Sequence, residues 1–161
     1  MPVALSVGAR APDFTLPRDG GGNVSLAQFK DRKLVIFFYP KADTSGCTAE
    51  SIAFSTLLPK FNKAHTAVLG ISPDAVTAVD KFKAKHKLKV ALGCDPTHDM
   101  LKAYGVWGRK LMYGRTYMGV IRTTMLIGPD GRIAKIWPKV KVDGHAEEVL
   151  DATQILWARN S

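Results

Sequence analysis

Cysteine is scarce: the 161-residue chain carries two, Cys47 and Cys94. A pair of thiols cannot supply the cross-linked framework of a small disulfide-rich domain, so a reducing, cytoplasmic setting is the expected location. Long apolar runs are lacking too. The longest, Leu34 to Tyr39, falls far short of the roughly 20 apolar residues a bilayer-spanning helix needs. Met1 to Gly8 offers neither the basic stretch nor the apolar segment of a secretory signal. Internal repeats, low-complexity tracts and linkers are also missing, so residues 1–161 are expected to form a single domain. Acidic residues are few beside basic ones, 14 against 23, for a net charge of +9. Such a charge suits nucleic acid, an anionic membrane or plain solubility. The densest basic run, Lys81, Lys83, Lys85, Lys87 and Lys89, alternates in a way that scatters charge around a helix axis, and no aromatic residues interleave to stack bases. The expectation is a solvated basic surface, with neither nucleic acid nor membrane as partner.

What is present alternates between two periods. Residues 11–16 read as a short strand and Asp19–Asn23, with three glycines, as a turn. Leu34–Tyr39 is apolar without alternation, the pattern of a strand buried on both faces. Beyond the polar turn Lys41–Gly46 the period lengthens. Phe54, Leu57, Leu58 and Phe61 mark an amphipathic helix, with Pro59 expected to kink or split it. Thr66–Ser72 reads as a second strand, and Ser72-Pro73 as the cap and first residue of the next helix. Leu88, Val90 and Leu92 alternate as a strand, Thr97–Tyr104 is a short helix, and Val106–Met118 is expected to be a long basic, aromatic loop. Gly119–Ile127 and Arg132–Trp137 read as strands joined at Pro129-Asp130-Gly131, before a last helix from about His145 that buries Ala146, Val149, Leu150 and Trp157. Strands alternating with helices predict an α/β sandwich, a mixed central sheet between helices with an antiparallel hairpin at one end.

The chemistry concentrates at Pro40-Lys41-Ala42-Asp43-Thr44-Ser45-Gly46-Cys47-Thr48-Ala49-Glu50. Cys47 falls in the first turn of a helix, just past the carboxyl end of a buried strand, where open α/β sheets gather their active sites. Unpaired backbone N–H groups and the helix dipole favour an anion there, so Cys47 is predicted to be held toward its thiolate, the nucleophilic form. Thr44, three residues earlier, can face the sulfur across the turn and hydrogen-bond it or an incoming oxygen. Pro40 withholds a backbone donor and can wall off one side. The competing reading of Cys47 is a buried structural thiol, against which stand its small, polar flanks Ser45, Gly46 and Thr48.

Pro40-x-x-x-Thr44-x-x-Cys47 resembles the signature of peroxiredoxins. So do Val7-Gly8, Ala11-Pro12-Asp13-Phe14, Phe38-Tyr39-Pro40-Lys41, Leu69-Gly70-Ile71-Ser72, Ala103-Tyr104-Gly105-Val106-Trp107 and Gly119-x-x-Arg122. The chain is similar, over nearly its whole length, to the bacterioferritin-comigratory or Q-type subfamily. The resemblance implies a thioredoxin-like three-layer fold and reduction of hydrogen peroxide and organic hydroperoxides at Cys47, which passes through a sulfenic acid. It also implies re-reduction by thioredoxin or a small thiol, no cofactor, and a monomer or weak homodimer. Arg122 then stands as the fourth member of the site with Cys47, Thr44 and Pro40, a permanent cation beside the thiolate. Read locally, it is a charge in a segment suited to a sheet, or a surface arginine on an edge strand. Glu50, one helical turn after Cys47, is expected to be structural, bracing an arginine.

The resemblance fails at two positions. Many members carry a resolving cysteine where this chain has Ile52, and often a proline where it has Ser45. Cys94, in Gly93-Cys94-Asp95-Pro96, is the remaining thiol, either a passive small residue or a resolving partner reached after local unfolding. Cys94 with His98 makes at most two metal ligands, and His65, His86 and His145 complete no motif, so no metal is expected. A dithiol–disulfide oxidoreductase would need Cys-x-x-Cys, and Glu50 occupies the second position. A non-enzymatic basic binding domain stands as the other rival.

Overall fold

A six-residue strand with every residue buried, β3 (Lys33–Phe38), forms the middle of the molecule. In the computed structural model, which describes residues 5–160 apart from the side chains at 112 and 156–160, β3 is third in a five-stranded sheet of order β5-β4-β3-β8-β9. It pairs in parallel with β4 (Thr66–Ser72), which pairs in parallel with β5 (Ala91–Cys94). Its other edge pairs antiparallel with β8 (Thr123–Ile127), and β8 with β9 (Ile133–Trp137). Alternate residues of β3 supply two cores. Val35, Phe37 and Tyr39 meet α1 (Ser45–Lys63), α2 (Val76–His86) and α4 (His145–Asn160) through Phe54, Phe61, Val79, Phe82, Val149 and Leu150. Leu34, Ile36 and Phe38 meet α3 (Asp99–Ala103), through Met100 and Leu101, and the small hairpin of β1 (Thr15–Pro17) and β2 (Asn23–Ser25). The expected three-layer α/β sandwich with a mixed sheet is what the chain builds.

Close packing fixes α1 on the sheet. Phe37 stacks on Phe54 with ring centroids 4.6 Å apart, and β4 answers with Gly70, where a Cβ would sit 2.6 Å from Phe37 Cζ. Pro59 lies inside α1 without ending it. It removes the N–H that would bond the Ser55 carbonyl, but Phe54 and Phe61 on either side are fully buried and hold both halves down. No helix among the described residues is long and apolar enough to cross a membrane.

Four local expectations need correction. Val106–Met118 is not an irregular loop. It forms most of a second hairpin, β6 (Trp107–Met112) with β7 (Arg115–Val120), closed by Tyr113 and Gly114, both at positive φ. The strand expected over Gly119–Ile127 is broken at Ile121-Arg122, which separates β7 from β8. Ile121 N–H bonds the Val106 carbonyl and Val140 N–H the Arg122 carbonyl, so the break leaves these backbone groups paired. Ser72 does not cap α2: it stays in the sheet opposite Cys94, and the helix starts at Val76 after Ala75. Cys94 ends β5 instead of lying in a turn. Trp157, expected on the buried face of the last helix, has a side chain outside the described residues.

Candidate active site

Beyond β3, Tyr39 N–H still bonds the Ile71 carbonyl of the neighbouring strand. The chain then leaves the sheet at half-buried Pro40 and turns into α1. Two carboxylates shape that turn. Asp74 Oδ2 accepts the Ala42 N–H at 2.8 Å and the Ser72 hydroxyl at 2.8 Å, which ties the turn to the end of β4. Asp43, in the left-handed region at φ 63°, is joined to Lys85 Nζ at 2.9 Å and His86 Nε2 at 2.9 Å on the last turn of α2. These hydrogen bonds hold the Asp43 carboxyl below the usual carboxylate range, the His86 contact contributing most and Lys85 next.

Thr44 is the N-cap residue of α1 in backbone conformation, with an extended φ/ψ. Its exposed hydroxyl donates to the Lys41 carbonyl at 2.8 Å, and its own carbonyl accepts the Thr48 N–H at 2.8 Å. Cys47 is thus the third helical residue, in the turn whose N–H groups have no intrahelical acceptor. The dipole and those donors favour negative charge on its sulfur. The Cys47 side chain is fully buried.

Arg122, released from the sheet by the β7–β8 break, reaches across to this turn. Its Nη2 donates to Cys47 Sγ at 3.0 Å and its Nη1 to Glu50 Oε1 at 2.6 Å. Cys47 and Glu50 are three residues apart on one helix face, so one planar guanidinium serves both. A Cβ at residue 46 would sit 3.3 Å from Arg122 Nη2, and Gly46 leaves the arginine its path. Glu50 is 1% exposed and its Oε2 has no hydrogen-bond partner among the described residues. Burial pushes its carboxyl up to about 7, against the downward pull of Arg122. Behind Arg122, buried His145 shares a 2.8 Å hydrogen bond with Thr124 Oγ1 and packs edge-on against Phe54 and Trp137. Burial lowers its pKa, with Glu148 opposing the shift and Arg122 adding to it.

Of the residues singled out from sequence, Cys47, Arg122 and Glu50 are therefore in direct contact. Thr44 stands at the N-cap position of the same helix, its hydroxyl turned to Lys41, and Pro40 opens the turn that leads to it. Arg122 lies between two strands and not within one. Asp74 and the Asp43 clasp have no signature in the sequence: Ser72-Pro73-Asp74 reads as a helix start, and nothing local reports a partner 32 residues away. Cys94 is 1% exposed. Burial, with Asp74, Asp19 and Asp80 adding to it, pushes its thiol up to about 11. Both cysteines are free thiols. Among the described residues no group of three or more His, Cys, Asp or Glu could hold a metal, and His98 stacks instead on Trp107 at 3.9 Å.

Residues 7–136 match the model of the AhpC/TSA family. The chain is 45% identical over 148 residues to the putative peroxiredoxin bcp of Coxiella burnetii, covering 92% of this chain and 98% of that protein. It is 39% identical to the peroxiredoxin Bcp of Bacillus subtilis, covering 92% and 94%. Among solved structures, the bacterioferritin comigratory protein of Xanthomonas campestris, described for its alkyl peroxide reduction activity, superposes with a TM-score of 0.88 at 38% identity over 95% of this chain and 98% of that one. A PrxQ mutant from Xylella fastidiosa superposes with a TM-score of 0.90 at 36% identity, covering 99% of both. The sandwich is the thioredoxin-like fold of these proteins, and the chain belongs to the AhpC/TSA family, in its Bcp or peroxiredoxin Q branch.

Proposed function

We propose that the chain is a thiol-dependent peroxidase in which Cys47 attacks hydrogen peroxide and organic hydroperoxides, with Arg122, Thr44 and Pro40 shaping the site. The observation that carries this reading is the 3.0 Å contact of Arg122 Nη2 with a thiol in the first turn of α1. A guanidinium and a helix N-terminus converge on one sulfur, so positive potential faces the atom whose anionic form is the nucleophile. The thiolate sulfur takes the terminal peroxide oxygen, the O–O bond breaks, and the departing oxygen leaves with a proton as alcohol or water. Cys47 becomes a sulfenic acid, oxidised by two electrons. The Arg122 cation faces the charge that develops on the oxygens during transfer. The Thr44 hydroxyl, at the rim of the same turn, can rotate from the Lys41 carbonyl to the peroxide. Pro40 presents no N–H to compete for it.

Re-reduction is assigned to an external thiol: thioredoxin or a small dithiol. Ile52 holds the position of the local resolving cysteine, and Cys94, its thiol raised to about 11 and buried, is a poor nucleophile at neutral pH. A basic binding domain is the weaker alternative, since Lys83 and Lys85 of the basic run are already engaged by Asp19 and Asp43. Cys47→Ser decides the matter. It should abolish peroxide consumption while circular dichroism shows the fold intact, because a serine hydroxyl does not ionise near pH 7. Substantial turnover in that variant would mean another nucleophile.

A further inference from the structure

We propose that the β6–β7 hairpin is the docking arm for the protein dithiol that recycles Cys47, gripped through its exposed apolar tip and its uncompensated basic charge. The inference rests on the peroxidase reading above and concerns where its reductant binds. Cys47 is fully buried, so a protein thiol cannot meet the sulfenic acid by random collision. It must be held beside the site while the first turn of α1 yields.

The hairpin that leads into the site is built for holding. Of the seven large apolar residues exposed among those described, four lie on this hairpin: Leu111, Tyr113, Tyr117 and Met118, with Tyr113 at the tip 97% exposed. The other three, Val7, Ile52 and Ile155, are spread over the N-terminal segment, α1 and α4. Leu111 and Met118 share one face of the hairpin, Tyr117 lies on the other and Tyr113 closes the tip, so one short element groups all four; grouped exposed apolar side chains mark interaction sites, whereas single ones need no account. The same hairpin carries Arg109, Lys110 and Arg115 and no acidic residue, and none of the three has an ion-pair partner among the described residues. Apolar anchors beside unmatched cations complement a partner with an apolar rim around its reactive cysteine and carboxylates beyond it.

The arm is also continuous with the site. Its second strand ends at Val120, two residues before Arg122. Lys110 donates to the Val120 carbonyl at 2.9 Å and lies over the Tyr117 ring at 5.9 Å. Burial first, and Arg122 next, depress the Lys110 ammonium while Cys47 raises it, so this side chain stands within the electrostatic reach of both. A second copy of the chain is a poor occupant, because each copy has a net charge of +9 and would bring the same three cations against their equivalents.

The docked reaction balances with two thiols. One partner thiol attacks the Cys47 sulfenic acid, an S–S bond forms and water leaves. The partner's second thiolate then attacks its own sulfur in that mixed disulfide and releases the Cys47 thiolate. The partner leaves as an internal disulfide, having given two electrons.

The test compares thioredoxin-driven with dithiothreitol-driven turnover for wild type, Tyr113→Ser, Leu111→Ser and Arg115→Glu, all changed at exposed positions. Expected is an apparent KM for thioredoxin raised about tenfold in the variants, as for the loss of an interface anchor. Oxidation of Cys47 by peroxide and dithiothreitol-driven turnover should stay at wild-type values. Added salt should weaken thioredoxin use in wild type more than in Arg115→Glu. Variants that use thioredoxin as wild type does overturn the proposal, as do variants impaired with both reductants alike. So does co-sedimentation with phosphatidylserine vesicles that the variants lose without any change in thioredoxin use, which assigns the arm to a lipid surface. A wild type that turns over with dithiothreitol but not thioredoxin removes the docking arm and leaves the peroxidase reading intact. No peroxide consumption with either reductant removes both.

Discussion

Arg122 faces two acids at once, and the state of one governs what it offers the other. Its guanidinium lies 3.0 Å from the Cys47 sulfur and 2.6 Å from Glu50 Oε1. With Glu50 ionised, much of the cation's field is spent on the carboxylate. With Glu50 protonated, more of it reaches the thiolate. Burial raises the Glu50 carboxyl from 4.5 to about 7, so this exchange falls near neutral pH. The consequence for stability has a definite sign. A carboxyl whose folded pKa exceeds its unfolded one binds more protons in the folded state, so its contribution is full below about pH 4.5 and is lost as pH rises to about 7. His145 works in the opposite sense, because its pKa, lowered by burial from 6.5, costs stability as pH falls below that value. The difference between wild type and Glu50→Gln isolates the glutamate. The unfolding free energy should fall more between pH 4.5 and 7 in wild type than in Glu50→Gln, by no more than about 3.4 kcal/mol in all. Equal slopes would show that Glu50 does not titrate in this window. Arg122→Ala should slow the reaction of Cys47 with peroxide by about a hundredfold, the scale of losing a donor aimed at developing charge. Stopped-flow measurement showing a change below about threefold would take Arg122 out of the reaction.

At the scale of elements, the turn between β3 and α1 sets where the sulfur stands, and its conformation is imposed from outside. Ala42 N–H is held by Asp74 from the β4–α2 connection, and Asp43 by Lys85 and His86 from α2. Asp43 is half-exposed and its Lys85 partner is long and solvated, so the clasp contributes little. Asp74 is better sheltered and binds two donors with one oxygen. Asp74→Ala should strip hydrogen-exchange protection from residues 42–48 and slow Cys47 oxidation several-fold, since an unpaired N–H costs about 1–3 kcal/mol. Asp74→Asn keeps an acceptor oxygen and should recover most of both. If neither variant alters exchange in the turn, the tether is incidental. This is also the scale at which the sequence stops being readable. Leu34–Tyr39 betrays a doubly covered strand because both its faces are apolar, and the Phe54, Leu57, Leu58, Phe61 spacing betrays α1 because one side of that helix is buried. The β6–β7 hairpin leaves no such trace. Arg109, Leu111 and Met118 share one face with buried Val120, and Lys110 and Tyr117 share the other, so no face is uniformly apolar. A strand pair that stands away from the core has no reason to alternate. The Asp74 tether is unreadable for a different reason, since it is a contact between segments that only the parallel pairing of β3 with β4 brings side by side.

For the whole molecule the open quantity is how the cycle closes, and the fold separates the two routes. Cys94 sits at the end of β5, an outer strand of the sheet, with β4 between it and β3, whose end leads into the Cys47 turn. It is buried, and the charges of Asp74, Asp19 and Asp80 add to burial in pushing its thiol to about 11. At pH 7 a thiol of that pKa is thiolate in about one part in ten thousand, against roughly 3% for a free cysteine. To attack the sulfenic acid, Cys94 would have to leave the β5 end and ionise, while the first turn of α1 unwound. An external thiol needs only the last of these. Cys94→Ser should therefore keep most of its turnover with dithiothreitol and with thioredoxin. Wild-type protein treated with one equivalent of peroxide and digested without reductant should yield Cys47 as sulfenic acid or its trapped adduct. A cycle without an internal disulfide leaves that sulfenic acid open to a second peroxide, so excess oxidant should convert Cys47 to sulfinic acid equally fast in wild type and Cys94→Ser. Mass spectrometry that instead finds a dominant Cys47–Cys94 cross-linked peptide, with wild type resisting sulfinic acid formation better than Cys94→Ser, would establish the two-cysteine route and show that the β5 end opens during turnover.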